Sequence, residues 1–235
     1  MPLKQPKISA VIPTFMEEQY ITNLLSQLTK TKPPIEIIVV DSQSKDKTAE
    51  IAKRFTKKVY QIKERGIAKA RNCGASHANG SIIIFLDTDV KLPPSFAEKL
   101  HETFRDVKVV GATCNIMPEH GTFFEKAFFK FYNKLIQITA KFKPHARGEF
   151  FAVRKKEFMR AGGFDESLPC LEDHELAQRL SRQGKFVFIN DLTVYESMRR
   201  FRKEGFSKVV GTWITDYIFF SLRGKPLTKV WQPAR

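Results

Sequence analysis

The sequence predicts an α/β fold in which a mostly parallel, doubly wound sheet carries helices on both faces and is followed by a basic, aromatic helical extension. Three observations carry this prediction. Apolar strand-like runs alternate with single amphipathic helices over the first 90 residues, the pattern of βαβ units. The runs IEIIVVD and IIIFL are almost continuously apolar, as strands covered on both faces are. The first three long runs end in polar clusters, Pro13 to Glu17, Asp41 to Ser44 and Asp87 to Asp89, at the carboxyl edge where open α/β sheets bind ligands.

The elements follow in order. KISAVIPTF reads as a strand ending at Pro13, and EEQYITNLLSQL as a helix with Ile21, Leu24, Leu25 and Leu28 on one face. IEIIVVD is the second strand, and SKDKTAEIAKRF a helix whose start is signalled by Ser44 or Asp46. A short strand is expected around 59–62, then a small-residue helix, GIAKARNCGASHANG, stopping near Asn79 and Gly80, and a strand over 81–86. Beyond residue 90 come a proline-introduced helix (LPPSFAEKLHETF), a strand (VKVVGATCNI) and a long basic amphipathic segment over 123–143. A strand, a short helix, a glycine turn and a further helix span GEFFAVRKKEFMRAGGFDESLPCLEDHELAQRLSRQG, and FVFIN and LTVYES read as two short closing strands. No repeat, low-complexity tract or linker divides the chain. It is expected to form one domain over 1–197, with a nucleotide-binding half over 1–90 and an acceptor-side half over 91–197, and an extension over 198–235.

At 235 residues the chain can bury a sizeable core, and 40 Lys plus Arg against 25 Asp plus Glu give a formal charge of +15, suited to anionic partners. Nucleic acid is not the expected one, because no helix-turn-helix, RNA-binding aromatic signature or zinc-finger spacing occurs. Cys73, Cys114 and Cys170 show neither pairing nor ligand spacing, which argues against a disulfide framework or a thiolate zinc site and fits a reducing compartment. The opening MPLKQPKISAVIP has no apolar stretch of signal-peptide length, and no run of about 18 apolar residues predicts a simple membrane span. A cytoplasmic location is expected, with peripheral contact at the inner face of the membrane, since two segments have surface-binding character. In the first, Phe124, Phe128, Phe131, Leu135 and Ile138 recur at helical spacing among Lys126, Lys130, Lys134, Lys141 and Lys143; the second, FSKVVGTWITDYIFFSLRG, is apolar but broken by Lys208 and Asp216. Packing helices would show the same periodicity.

The residues that bear chemistry are carboxylates and arginines. Asp87 and Asp89 end an apolar strand, where unpaired burial would be costly; a hard divalent ion that keeps water and substrate phosphates would explain them, and a solvated turn is the plainer alternative. In a regular strand the two would share a face. Asp41 precedes the helix-capping residues and could accept from a base or ribose, whereas Glu17 at a helix start also suits the dipole. Arg71, in KARN, could meet a diphosphate. Glu172, Asp173 and Glu175 crowd a helix start, where a base for an attacking hydroxyl could stand. MRRFRKEGFSK concentrates Arg199, Arg200 and Arg202. The five histidines show no ligand spacing and are expected to be structural or exposed.

These clusters, in this order, resemble the inverting family 2 of nucleotide-sugar glycosyltransferases. VIPTFMEE looks like the family's IPxYNE, IIVVDSQSKDKTAEIA like IIVVDDGSxDxT, and GIAKARNCGASHANGSIIIFLDTDV like GxxxARNxGxxxAxGxxIxFLDxD, while the later GGFDE and EDHEL match its acceptor-side elements. The resemblance covers roughly residues 7–200 and implies a GT-A type, Rossmann-like fold and single-displacement transfer of a sugar from a nucleoside-diphosphate sugar. By position it implies that Pro13, Thr14, Glu17 and Asp41 serve the base and ribose, that Arg71 lies near the nucleotide, that Asp87 helps hold ribose or metal, that Asp89 binds Mn2+ or Mg2+, and that Asp173 is the base with Glu172 beside the acceptor. A narrower likeness of YESMRRFRKEG to an RRF segment of small bacterial and archaeal members implies that Arg199, Arg200 and Arg202 lie near the diphosphate or an acceptor phosphate. The expected acceptor group is a hydroxyl or a phosphate, on a glycan or a polyprenyl-phosphate-linked lipid. Ser42 and Met16 depart from the usual Asp and Asn, and His174 and Glu175 from the usual residues after the catalytic pair, which leaves two candidate bases within three residues. The QxxRW signature of processive synthases is missing, so a long homopolymer is not expected. A sugar nucleotidyltransferase and a non-catalytic basic module binding nucleic acid or membrane are the competing readings.

Overall fold

The computed structural model describes residues 7–140 and 142–229. Lys141 of the basic segment, the first six residues of the expected domain and the last six of the expected extension lie outside the described residues.

The chain runs β1(Ile8–Thr14), α1(Ile21–Thr29), β2(Glu36–Asp41), α2(Thr48–Lys53), β3(Val59–Gln61), α3(Ile67–His77), β4(Ile82–Phe85) and β5(Val90–Lys91). It continues as α4(Phe96–Thr103), β6(Val109–Pro118), α5(Phe123–Thr139), β7(Phe151–Arg154), α6(Lys155–Arg160), α7(Glu172–Ser181), β8(Lys185–Glu196), α8(Arg199–Glu204) and α9(Phe206–Arg223). The strands form one sheet in the order β3-β2-β1-β4-β7-β6-β8-β5. β1 pairs in parallel with β2 and β4, and β2 with β3, as the alternating pattern predicts. β7 enters antiparallel between β4 and β6, so the sheet is mixed in its second half.

Burial on both faces follows strand periodicity. Along β1 and β4, Ala10, Ile12, Ile82 and Ile84 join the core under α1, α4 and α5, while Val11, Ile83 and Phe85 join the core under α3, α6 and α7. Each fully buried isoleucine contributes about 1.5–3 kcal/mol, so a polar residue anywhere in IIIF would break the centre of the sheet.

Two expectations need correction. FVFIN and LTVYES are one strand, the twelve-residue β8; its register against β6 slips between Cys114 and Asn115, and this irregularity bends the strand without ending it. Asp87 and Asp89 do not stand on a regular strand, because β4 ends at Phe85 and both lie in the turn before β5. α2 begins at Thr48, and Asp46 marks that start as expected, its Oδ1 accepting from Thr48 N at 3.0 Å. Ser44 and Asp46 also reach the β1–α1 loop, Met16 N donating to Ser44 Oγ at 2.8 Å and Glu18 N to Asp46 Oδ2 at 3.2 Å. The loops after β1 and β2 are thereby locked to each other.

Candidate active site

The carboxyl edge of the sheet opens onto two adjoining spaces. A wide cleft of about 590 Å³ is lined from the first half by Pro13, Thr14, Glu17, Ser42, Asp87 and Asp89, and from the end of the chain by Arg199 and Arg200. A smaller cavity of about 160 Å³ lies beside it, lined by Arg71, Tyr132, Arg147, Glu172, Asp173 and Tyr217 among others. Ile67, Asp87, Glu149, Pro169 and Trp213 line both. A ligand lying across these five residues would reach from one space into the other.

Among the described residues three non-glycines adopt left-handed backbone, Met16 (φ 59°), Gln43 (φ 57°) and Leu171 (φ 63°), and all three stand in loops at this edge. Such conformations cost of order 1–3 kcal/mol each and persist where surrounding contacts fix them. Leu171 immediately precedes Glu172, so its turn aims the first residues of α7.

Arg71 lines the small cavity and bonds Asp87, one of the residues shared by both spaces. α3 presents Arg71 at 1% exposure, with Nη1 donating to Glu172 Oε1 at 2.6 Å and Nη2 to Asp87 Oδ1 at 3.0 Å and to the Gly148 carbonyl at 3.2 Å. A Cβ at position 148 would lie 2.4 Å from Nη2, so glycine is needed there for the guanidinium to fit. Its neighbour Asn72 donates to Phe164 O at 2.9 Å and accepts from Phe164 N at 2.8 Å, which ties the ARN helix to the GGFDE loop. Gly163, at φ +73°, could carry no Cβ without meeting Asn72 Oδ1 at 2.6 Å.

The carboxylates differ in proton affinity. Burial, opposed by Arg71 and reinforced by Glu149 and Asp89, pushes Asp87 up to about 6. Asp89 is also raised by burial, against the pull of Arg199. Burial and the adjacent Asp173 charge push Glu172 up to about 7 in spite of Arg71. Asp173 goes the other way: burial resists its ionisation, but attraction and hydrogen bonds from His174, at 2.7 Å from the backbone N and 2.9 Å from Nδ1, hold it below the ordinary aspartate value. Asp173 is therefore ionised at neutral pH beside a residue that is only partly so.

Arg199 spans the mouth of the wide cleft. Its Nε donates to Asp89 Oδ2 at 2.7 Å and its Nη1 and Nη2 to the two oxygens of Glu17 at 2.8 and 2.9 Å, with the guanidinium 4.2 Å from the centre of the Tyr20 ring. Arg200 lines the same cleft and bonds Glu204 at 2.8 Å. Arg202 lies outside the cleft lining, with its guanidinium on Glu125 of α5. Asp41 is fully buried and accepts from Thr14 Oγ1 at 3.2 Å and Ser44 N at 3.0 Å, so Ser42, the next residue, is the part of that turn on the cleft wall.

A divalent cation fits the donor set of the cleft. Asp87 and Asp89 are hard oxygen donors in one turn, each with one oxygen named in an arginine contact, and no group of three or more His, Cys, Asp or Glu able to hold a metal occurs among the described residues. Two carboxylates leave most of an octahedral shell to diphosphate oxygens and water, the arrangement that suits Mg2+ or Mn2+ on a nucleotide.

Several site residues escaped sequence reasoning. Arg147, on the loop before β7, donates to Glu149 Oε1 at 3.1 Å and Glu196 Oε1 at 3.2 Å, and its buried Nη1 has no partner among the described residues. Burial and the Glu149 charge raise Glu196 well above the ordinary value, while Arg147 and the Glu196 hydrogen bond outweigh burial and hold Glu149 low. His145 packs edge-on to His174 with ring centres 5.0 Å apart, and Tyr217 Oη lies 3.3 Å from its Nε2. Burial, together with His174 and Lys143, drives His145 down to about 3, so it is neutral. His174 is buried and bonded to Asp173, as a structural histidine would be, and also lines the cavity. Glu149 follows Gly148, and no local spacing in the sequence marks either.

Comparison with known proteins places this geometry. A family model described as Glycosyl transferase family 2 matches residues 9–163. Poly(ribitol-phosphate) beta-N-acetylglucosaminyltransferase TarS of Staphylococcus aureus is 29% identical over 129 residues, 48% of this chain and 22% of that protein. The dolichol-phosphate mannosyltransferase of Pyrococcus furiosus is 31% identical over 107 residues, 43% of this chain and 30% of its own length. The chain thus spans less than a third of either relative. Among solved structures, a mannosyltransferase from Pyrobaculum calidifontis in complex with GDP-Man and Mn2+ superposes with a TM-score of 0.70 at 24% identity, covering 83% of this chain and 58% of that one. TarS 1–349 in complex with UDP-GlcNAc gives 0.66 at 19% identity, covering 81% and 58%. The fold is that of the GT-A glycosyltransferases.

Proposed function

The chain belongs to glycosyl transferase family 2, and from that premise we propose that it transfers a sugar, with inversion, from a nucleoside-diphosphate sugar to an acceptor hydroxyl, with Asp173 as the base. The observation that carries this reading is the shared wall of the two spaces: a nucleotide in the wide cleft would present its sugar at Glu149 and Trp213, at the entrance to the cavity that holds Asp173.

Pro13, Thr14 and Ser42 would line the base and ribose site, with Asp41 fixing the turn and Glu17 reaching the cleft beside Arg199. Mg2+ or Mn2+ held by Asp89 and Asp87 would neutralise the leaving diphosphate. Arg199 and Arg200 would add fixed positive charge on the same oxygens, and Arg71 would hold Asp87 in place from beneath. In the cavity, Asp173 would take the proton of the attacking hydroxyl as its oxygen bonds to the anomeric carbon and the bond from that carbon to the diphosphate oxygen breaks. Glu172, beside it, would strengthen that base when ionised. Tyr132, Trp213 and Tyr217 would face the rings of the acceptor, and the unpartnered Nη1 of Arg147 an acceptor oxygen. TarS and the mannosyltransferase are named for phosphate-containing acceptors, and a glycan or a polyprenyl-phosphate-linked acceptor is proposed here, which would bring the enzyme to the inner face of the membrane.

Calorimetric titration with UDP, GDP, CDP and deoxythymidine diphosphate, with and without Mn2+, tests the donor half of this reading. One nucleotide should bind in a metal-dependent way, and Asp89→Ala should weaken it by about 10–100-fold. Folded protein that binds none of them sinks the proposal.

A further inference from the structure

The outer faces of α5 and α9 are the part of the molecule that the sugar-transfer reading leaves unexplained. The two helices lie side by side: Phe128 meets Phe206 with ring centres 5.2 Å apart, Tyr132 meets Trp213 at 6.2 Å, and Lys143 Nζ stands 3.3 Å from Ser221 Oγ. Their inner faces are ordinary core, with Phe129, Ile136 and Val209 buried. Their outer faces are apolar and open. Phe124 is 81%, Phe131 68% and Ile138 56% exposed along α5, and Ile214, Ile218 and Leu222, four residues apart along α9, are exposed at 56%, 49% and 79%. The helical stripe foreseen from Phe124 to Ile138 is real, but apart from Phe128 it faces outward, and a different set, Phe129, Asn133 and Ile136, packs inward.

Charge selects the occupant of this face. Lys126, Lys130 and Lys134 follow one another at four-residue spacing along one flank of the α5 stripe, are exposed, and pair with no carboxylate among the described residues. Each helix carries one acidic residue, and both are withdrawn: Glu125 is buried under Arg202, and Asp216 is buried and accepts from the Thr228 amide at 2.8 Å. An apolar stripe edged with unpaired lysines and free of exposed carboxylates is complementary to anionic headgroups over acyl chains. No helix among the described residues is long and apolar enough to cross a membrane, so the face would lie on the surface.

We infer that the paired outer faces of α5 and α9 dock the protein on an anionic phospholipid surface, with the aromatic stripe at the acyl boundary and the lysines at the phosphates. This inference is independent of sugar transfer. It adds a geometric consequence, because Tyr132, Trp213 and Tyr217 line the small cavity from the inner sides of the same two helices. Docking would set the cavity directly beneath the lipid surface.

Flotation of the full chain with vesicles of phosphatidylcholine, alone or mixed with phosphatidylglycerol, tests it. The protein should float with the mixed vesicles and at least about tenfold less with neutral ones. Reversing Lys126, Lys130 and Lys134 to Glu should reduce partition by about a hundredfold. The triple variant Phe124→Ser, Phe131→Ser and Ile138→Ser should abolish flotation while keeping the wild-type melting transition, since these side chains pack against nothing in the core. Wild-type protein that floats with neither vesicle, or variants that float unchanged, would overturn the inference. So would a wild-type dimer by sedimentation that the serine variant converts to monomer, which would give the face to a second copy of the chain.

Discussion

In the wide cleft, Asp89 and Glu17 share Arg199, a side chain brought from the end of the chain and still 18% exposed; in the small cavity, Glu172 is clamped by Arg71 at 1% exposure, and Asp173 by the residue next to it. The first arrangement is the more open of the two, because Arg199 is partly exposed and a bound diphosphate would offer it other oxygens. The second is the more fixed, because separating Arg71 from its carboxylates would leave a buried charge unpaired. On the proposed reading, the cleft that receives and releases a charged ligand has the more exchangeable partner, and the cavity that holds the base has the fixed one.

The largest effect that would break this comparison is at Asp173. Asp173→Asn should lower turnover by about 1,000-fold while leaving nucleotide binding in the wide cleft intact, measured by single-turnover transfer beside calorimetry. Equal loss of binding and turnover would mean that the two spaces are not separate in function. Next is Arg71→Met, which leaves the buried Glu172 and the half-buried Asp87 without their cation. It should cost about 3–4 kcal/mol in urea unfolding; a loss below about 1 kcal/mol would show the cavity clamp to be as exchangeable as Arg199.

A smaller effect is a pH dependence at Glu172. Its folded value, about 7, lies above the unfolded 4.5, so the folded protein holds that proton more tightly and stability falls as pH rises from about 4.5 to about 7. Asp173 has the opposite sign, since its depressed value contributes stability that is lost only as pH falls through it. Glu172→Gln should flatten the decline across that window, and should also remove a few-fold rise in turnover through about pH 7 that comes from the second negative charge beside the base. Unfolding midpoints whose slope is unchanged by the substitution would place the titration elsewhere.

The N-terminal half was readable because its cues are local. The strands β1, β2 and β4 are bare apolar runs, α1 has its stripe at three- and four-residue spacing, and Asp87 and Asp89 announce themselves by following IIIF. The rest of the site depends on contacts that no local pattern encodes. Arg199 meets Asp89 across 110 residues and Glu17 across 182, and Arg147 meets Glu196 across 49. β8 read as two strands because Asn190 and Asp191 interrupt its apolar pattern; their backbone stays extended through the register slip. The stripe of α5 shows the limit from the other side, since periodicity reveals an apolar face but not whether protein or something else covers it.

The contacts of Arg71 with Asp87, Glu172 and the Gly148 carbonyl have a consequence for inheritance. A hub of this kind makes its members answerable to one another: drift at position 87, 172 or 148 alone strands a charge or drives a methyl group into the guanidinium, whereas a simultaneous exchange of the set for well-packed apolar residues could still fold. Variation across descendants of this sequence should therefore come in blocks at these positions, and lineages that have given up catalysis should be recognisable by having changed the block together.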